Sequence, residues 1–220
     1  MATRYSANVF TAKMPVDSLA LRAHRVLEGH GLEIDQNPAV WVDDQDADRE
    51  IPEYVAKSVE DAARYLAQWP YTGAVSYFLE HPPKDPLNTA TGYVLRVYYT
   101  PNRDLSVLGL AFMGHAFDSK NFPDTLPAIT TLVEALHEEF SAYRSAFDWG
   151  LNDDVTEEDE VLALINGRAE PRPGQWLDII DKAFVTPELL DEYQAATKTG
   201  SVLRRTANGS LFWQRDAGPP

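Results

Sequence analysis

Three groupings of titratable residues in this 220-residue chain have spacings that chemistry uses. Asp44, Asp46 and Asp48 alternate as in the opening of a calcium loop, where carboxylate oxygens at every second position converge on one cation. The match then ends, because Arg49 stands where such a loop needs glycine and Val55 where it needs glutamate. The expectation is a hydrated surface loop whose crowded carboxylates repel one another until a basic partner relieves them. Glu134 and His137 have the Glu-x-x-His spacing of di-iron carboxylate bundles, which require a second copy that is missing here. His137 is therefore expected on the surface of an amphipathic helix. His115 and Asp118 follow a strand-like run ending at Met113, a place where an acid–base pair can sit. A dyad there would need a nucleophile, and neither Ser106 nor Ser119 lies in a Gly-x-Ser-x-Gly elbow. A turn histidine beside an acid is the plainer expectation, with a small-molecule enzyme site near His115 as the alternative.

Other chemistries lack their signatures. No glycine-rich dinucleotide loop or Walker sequence is present, and Arg204-Arg205 falls far short of a nucleic-acid footprint. With no cysteine there is no disulfide framework, thiolate metal site or thiol nucleophile. No cofactor or metal is expected. No stretch approaches the roughly 18 to 20 apolar residues of a membrane helix, and the start Met1-Ala-Thr-Arg-Tyr5 leads into no signal-peptide core. A cytoplasmic location is expected.

Charge is the pointed feature. Residues 43 to 61 carry eight acids (Asp43, Asp44, Asp46, Asp48, Glu50, Glu53, Glu60, Asp61) against Arg49 and Lys57, a net of -6. Residues 148 to 160 carry seven (Asp148, Asp153, Asp154, Glu157, Glu158, Asp159, Glu160) and no base, a net of -7. These two stretches hold -13 of the chain's -15. A field so concentrated attracts basic proteins and repels nucleic acid and anionic membranes. Asp43, Asp44, Asp46, Asp48, Glu50, Asp153, Asp154, Glu157, Glu158, Asp159 and Glu160 are accordingly the candidate partner-binding residues.

The elements that must position these residues are marked by local patterns. Residues 4 to 11 and 33 to 42 are strand-like around a helix, in which Leu19, Ala23, Val26 and Leu27 form one face, with Ser18 as its cap and Gly29 and Gly31 at its end. Ser58 and Asp61 make a capping-box pattern ahead of the stripe Val59, Ala62, Ala63, Leu66. Gly73 to Leu79, Tyr93 to Thr100 and Leu105 to Met113 are strands, the last two joined by the turn sequence Pro101-Asn-Arg-Asp104. Ile129, Leu132, Val133, Leu136 and Phe140 keep helical spacing. Thr156 with Asp159 suggests a cap ahead of a helix at 161 to 165, and Trp176 to Phe184 reads as another. Pro187 suits a helical first turn, and Asn208-Gly209 signals a terminal hairpin. The expected fold is α+β: a mainly antiparallel central sheet packed by amphipathic helices. Residues 1 to 220 are expected to form one domain, with 151 to 220 either packed back on the sheet or a lobe of its own.

Gly174-Gln-Trp176-Leu-Asp-Ile-Ile180, Thr186-Pro187-Glu-Leu-Leu190 and Gly209-Ser-Leu-Phe-Trp213 together resemble the late segments of bacterial polymorphic-toxin immunity proteins, the Imm52-like group. That resemblance implies a cytoplasmic α/β protein that binds and blocks one cognate toxin. The acidic stretches suit the same task independently, since they speed capture of a basic partner and exclude wrong ones. A phage or secretion-system assembly protein is the remaining alternative.

Overall fold

A computed structural model describes residues 5–43, 53–79, 95–101, 104–112, 122–149, 158–168, 173, 176–198 and 200–215. Within them the chain forms β1 (Tyr5–Ala12), α1 (Val16–Gly29), β2 (Leu32–Ile34), β3 (Ala39–Asp43), β4 (Tyr54–Val55), α2 (Val59–Leu66), β5 (Thr72–Leu79), β6 (Leu95–Pro101) and β7 (Leu105–Phe112). There follow α3 (Phe122–Phe140), β8 (Arg144–Trp149), α4 (Glu158–Ile165), β9 (Leu177–Ile180), a 3-10 turn (Lys182–Phe184), α5 (Pro187–Ala196), β10 (Val202–Arg205) and β11 (Leu211–Gln214). The eleven described strands join one antiparallel sheet in the order β10-β11-β9-β8-β1-β7-β6-β5-β3-β4, with β2 beside the second half of β5. The expected α+β class is what the chain adopts.

Alternation assigns each face. Ala7 and Val9 of β1, Leu108 and Leu110 of β7, Leu95, Val97 and Tyr99 of β6, and Val75 and Tyr77 of β5 bury into one core. The helices α1, α2 and α3 cover that face with Leu19, Ala23, Leu27, Leu66, Leu132 and Leu136, at the helical spacings read from the sequence. The reverse face is covered over β9 and β11 by α5, where Leu189 and Tyr193 pack on Ile180, Leu211 and Trp213. Over the start of β7, α4 packs Val161 against Phe10 and Leu105.

Three expectations change. Residues 177 to 180 are a strand, not a helix: Leu177 and Ile179 enter the main core while Ile180 packs on α5. A short apolar run buried on both faces has no period that separates strand from helix. The first helix starts at Val16, because the Pro15 carbonyl already accepts the Leu19 N–H at 3.0 Å, which leaves Ser18 inside the first turn. His137 is buried, not on the surface. The Ser58 cap forms as read, its hydroxyl accepting the Asp61 N–H, and Pro187 does open a helix, where the Thr186 hydroxyl accepts the Leu189 N–H, a cap not read from the sequence. The Asn208-Gly209 hairpin also forms, with Gly209 at φ 91°.

Candidate partner-binding surface

The first acidic segment leaves the sheet at Asp43, the last residue of β3. Its described carboxylates beyond that point are held by local structure. Glu53 accepts the Trp41 indole N–H at 3.0 Å. Asp61 accepts the Tyr54 hydroxyl at 2.8 Å and the Lys57 N–H at 3.0 Å, and Arg64 lies 3.5 Å from it. The Lys57 N–H and the Tyr54 hydroxyl together hold the Asp61 carboxyl below its ordinary range, and Asp61 in turn raises the Tyr54 phenol. The Ser58 hydroxyl similarly lowers Glu60. Asp44, Asp46, Asp48 and Glu50 lie outside the described residues.

In the second segment, Asp148 is buried on β8, and Asp159 and Glu160 are exposed on α4, which Glu158 begins. Glu160 accepts a hydrogen bond from Arg144 Nη1 at 3.0 Å. Asp153, Asp154 and Glu157 lie outside the described residues, as do His115 and Asp118.

Strand register relates the two segments. Asp43, Thr72, Thr100, Val107, Phe10 and Arg144 follow one another across β3, β5, β6, β7, β1 and β8, within one residue of register between Thr72 and Thr100. Asp43 and the arginine that carries Glu160 therefore lie along one transverse row. Thr72 and Thr100 are joined along it by a hydroxyl pair at 3.2 Å. Five strand spacings of about 4.8 Å separate its ends by about 24 Å along the sheet. The fold thus aligns these anchor points without bringing them into contact.

The remaining candidates serve the fold. His137 sits between two hydroxyls, Nδ1 3.0 Å from Ser145 and Nε2 3.1 Å from Ser210, and burial pulls its pKa down to about 4. Glu134 accepts both Nη groups of Arg204 at 2.7 Å, and that guanidinium lies 3.7 Å from the Phe212 ring centroid. Ser106 donates to the Met14 carbonyl and accepts its N–H. Among the described residues no three metal-ligating side chains converge, and no helix is long and apolar enough to cross a membrane.

Two groupings escaped the sequence reading. On the reverse face of β3 and β6 the Arg96 guanidinium stacks 4.7 Å from the Trp41 ring centroid, with Tyr98 two residues along. The signal was available, since the alternation that marks Leu95, Val97 and Tyr99 as one face leaves Arg96 and Tyr98 on the other. Beneath α4 and α5, Arg144 forks onto Asp178, which also accepts the Tyr193 hydroxyl at 2.6 Å. Nothing in the sequence links those three positions.

No family model matches the chain, and no curated protein matches it. Its fold is similar to a solved one. The Pseudomonas aeruginosa T6SS protein PA0821 superposes with a TM-score of 0.51 at 12% identity, over 96% of this chain and 65% of that one. The chain therefore spans about 65% of the length of that protein. At this identity the likeness concerns the fold.

Proposed function

We propose that this protein is a binding inhibitor, an immunity protein that captures a basic bacterial toxin through its acidic segments and keeps it inactive in the cytoplasm. The observation that carries this reading is the charge distribution: -13 of -15 lies in 32 residues. Carboxylates crowded in this way repel one another, so they are costly to an isolated fold and favourable only toward a cationic surface. Structural roles account for Glu53, Asp61 and Glu160, whose partners are in the protein itself. Asp148 is buried on β8 and Glu60 is held by the Ser58 hydroxyl, so the field is assigned to Asp43, Asp44, Asp46, Asp48, Glu50, Asp153, Asp154, Glu157, Glu158 and Asp159. A fold like that of a T6SS protein is compatible with an effector–immunity setting, and the immunity-like segments at 174 to 213 point the same way.

The test is co-expression with the protein encoded by the adjacent gene. Growth rescue, and a stoichiometric complex of the two purified proteins that weakens as salt rises, are the expected results. Absence of both the rescue and a low-salt complex would overturn the proposal.

A further inference from the structure

Among the described residues two large apolar side chains stand exposed, Val55 at 59% and Val202 at 42%. They lie on the two outermost strands of the sheet, β4 and β10. β4 is two residues long, whereas β10 offers four, Val202 to Arg205, with no described strand on its outer side. The hairpin register fixes which backbone groups that edge presents. Thr206 N–H donates to the Ser210 carbonyl at 3.0 Å. Counting back by twos, Arg204 and Val202 exchange bonds with Phe212 and Gln214, so Leu203 and Arg205 turn their N–H and C=O outward. Such an edge is a template for another strand unless charged side chains guard it. Here both guards are drawn away. Arg204 forks onto Glu134 and lies over the Phe212 ring, and Arg205 donates back to the Gly209 carbonyl at 3.2 Å.

We infer that β10 is a self-association edge, pairing antiparallel with β10 of a second copy about a two-fold axis through Arg204. In that register Leu203 of each copy exchanges both backbone bonds with Arg205 of the other, which satisfies the outward groups of both. Every described strand pair in the sheet is antiparallel, so the join continues the sheet's own pattern. A foreign strand would need an open edge of matching register, which a second copy brings by construction. Val202 then faces Thr206 of the second copy, and its exposed apolar surface leaves water. The two Arg204 side chains stand opposite one another, a juxtaposition tolerated because Glu134 cancels each guanidinium. Net charge does not forbid the join. Asp43, where the first acidic segment leaves the sheet, is eight strand spacings away, about 38 Å along it and far beyond a screening length of about 8 Å. That segment stays open to a basic partner, and the inference stands apart from the inhibitor reading. A join of four residues falls at the weak end of specific interfaces, below about 1,200 Å², so the dimer depends on concentration.

The experiment uses the full chain with nothing added. Sedimentation equilibrium follows its mass from about 5 μM to about 0.5 mM, and NMR hydrogen exchange follows the β10 amides at both ends of that range. The expected result is a shift from monomer to dimer. The Leu203 and Arg205 amides should exchange at least about threefold more slowly at the high concentration, while those of Val202 and Arg204 stay unchanged. Glu134→Gln uncovers two like charges across the axis, and Val202→Lys restores a guard. Each change acts twice in the dimer and should weaken dimerisation at least about fivefold. The exchange readout is made on wild type and does not depend on either variant folding. A monomer throughout, a dimer whose Leu203 and Arg205 amides are not slowed, or variants that dimerise like wild type would each overturn the inference.

Discussion

Arg144 on β8 grips Asp178 on β9 through two parallel bonds, Nε to Oδ1 at 2.9 Å and Nη2 to Oδ2 at 2.7 Å. Both side chains are buried, at 1% and 0% exposure. Burial alone would lower the arginine pKa, but the Asp178 carboxylate outweighs it and the net shift is upward. Burial, reinforced by the same carboxylate, pushes the Tyr193 phenol well up. The pair is diagonal, because Asp178 stands opposite Ala146, so it ties the sheet to α5 through Tyr193 and to α4 through Glu160.

Removing one partner should cost far more than removing the outer carboxylate. Arg144→Met leaves Asp178 charged and buried without its counter-ion, and is expected to lower stability by about 3–5 kcal/mol. Glu160→Gln removes a contact whose carboxylate is 56% exposed, and should cost less than about 1 kcal/mol. Urea unfolding of the two variants measures the difference. Equal losses would mean that the Arg144–Asp178 fork is not the anchor.

Acid sensitivity should trace to His137. Its folded pKa, about 4, lies below the ordinary 6.5 of an imidazole because burial disfavours the imidazolium, although Asp181, Asp178 and Glu134 oppose that effect. Below pH 6.5 the unfolded chain takes up a proton that the folded chain refuses until about pH 4. Stability from this group is therefore complete above about pH 6.5, falls between there and about 4 by at most about 3 kcal/mol, and levels off below. The slope over that window should shrink in His137→Gln. An unchanged slope in denaturant titrations at several pH values would place the sensitivity elsewhere.

Gly73 is the point where β5 passes under α2. A Cβ there would lie 2.0 Å from Leu66 Cδ2 and 3.4 Å from the Trp41 carbonyl. Leu66 is buried in the core and cannot swing away without displacing neighbours. Gly73→Ala is expected to lower stability by about 1–3 kcal/mol. A thermal melt that matches wild type would show that α2 is free to shift.

Neutralising Asp43, Asp44, Asp46 and Asp48 to asparagine should slow partner association and flatten its salt dependence while leaving dissociation nearly unchanged. Rates from stopped-flow mixing with the adjacent gene's product, across a salt series, give the answer. An association rate and salt slope equal to wild type would remove this segment from the interface.

Local features are legible in the order of the residues. The Ser58 cap, the Pro187 helix start and the strands around residues 73 to 112 follow from nearest-neighbour chemistry, as do the α3 stripe and the Asn208-Gly209 turn. The Leu177–Ile180 strand is not legible, because burial on both faces erases the period. His137 misleads for a related reason. Its place at the α3 stripe only shows as buried once Ser145 and Ser210 arrive from β8 and the last hairpin to satisfy both ring nitrogens.

By itself the sequence determined the periodic elements, the stops between them and the two concentrations of negative charge, since each depends on residues close together in the chain. Tertiary structure alone decided that β8 lies between β1 and β9, that Arg144 meets Asp178, and that Trp41 stacks on Arg96. Alternation announces that a strand has two faces, but which face is covered, and by what, depends on pairings between distant segments. Those pairings are chosen by the burial they jointly achieve, a property of the whole chain.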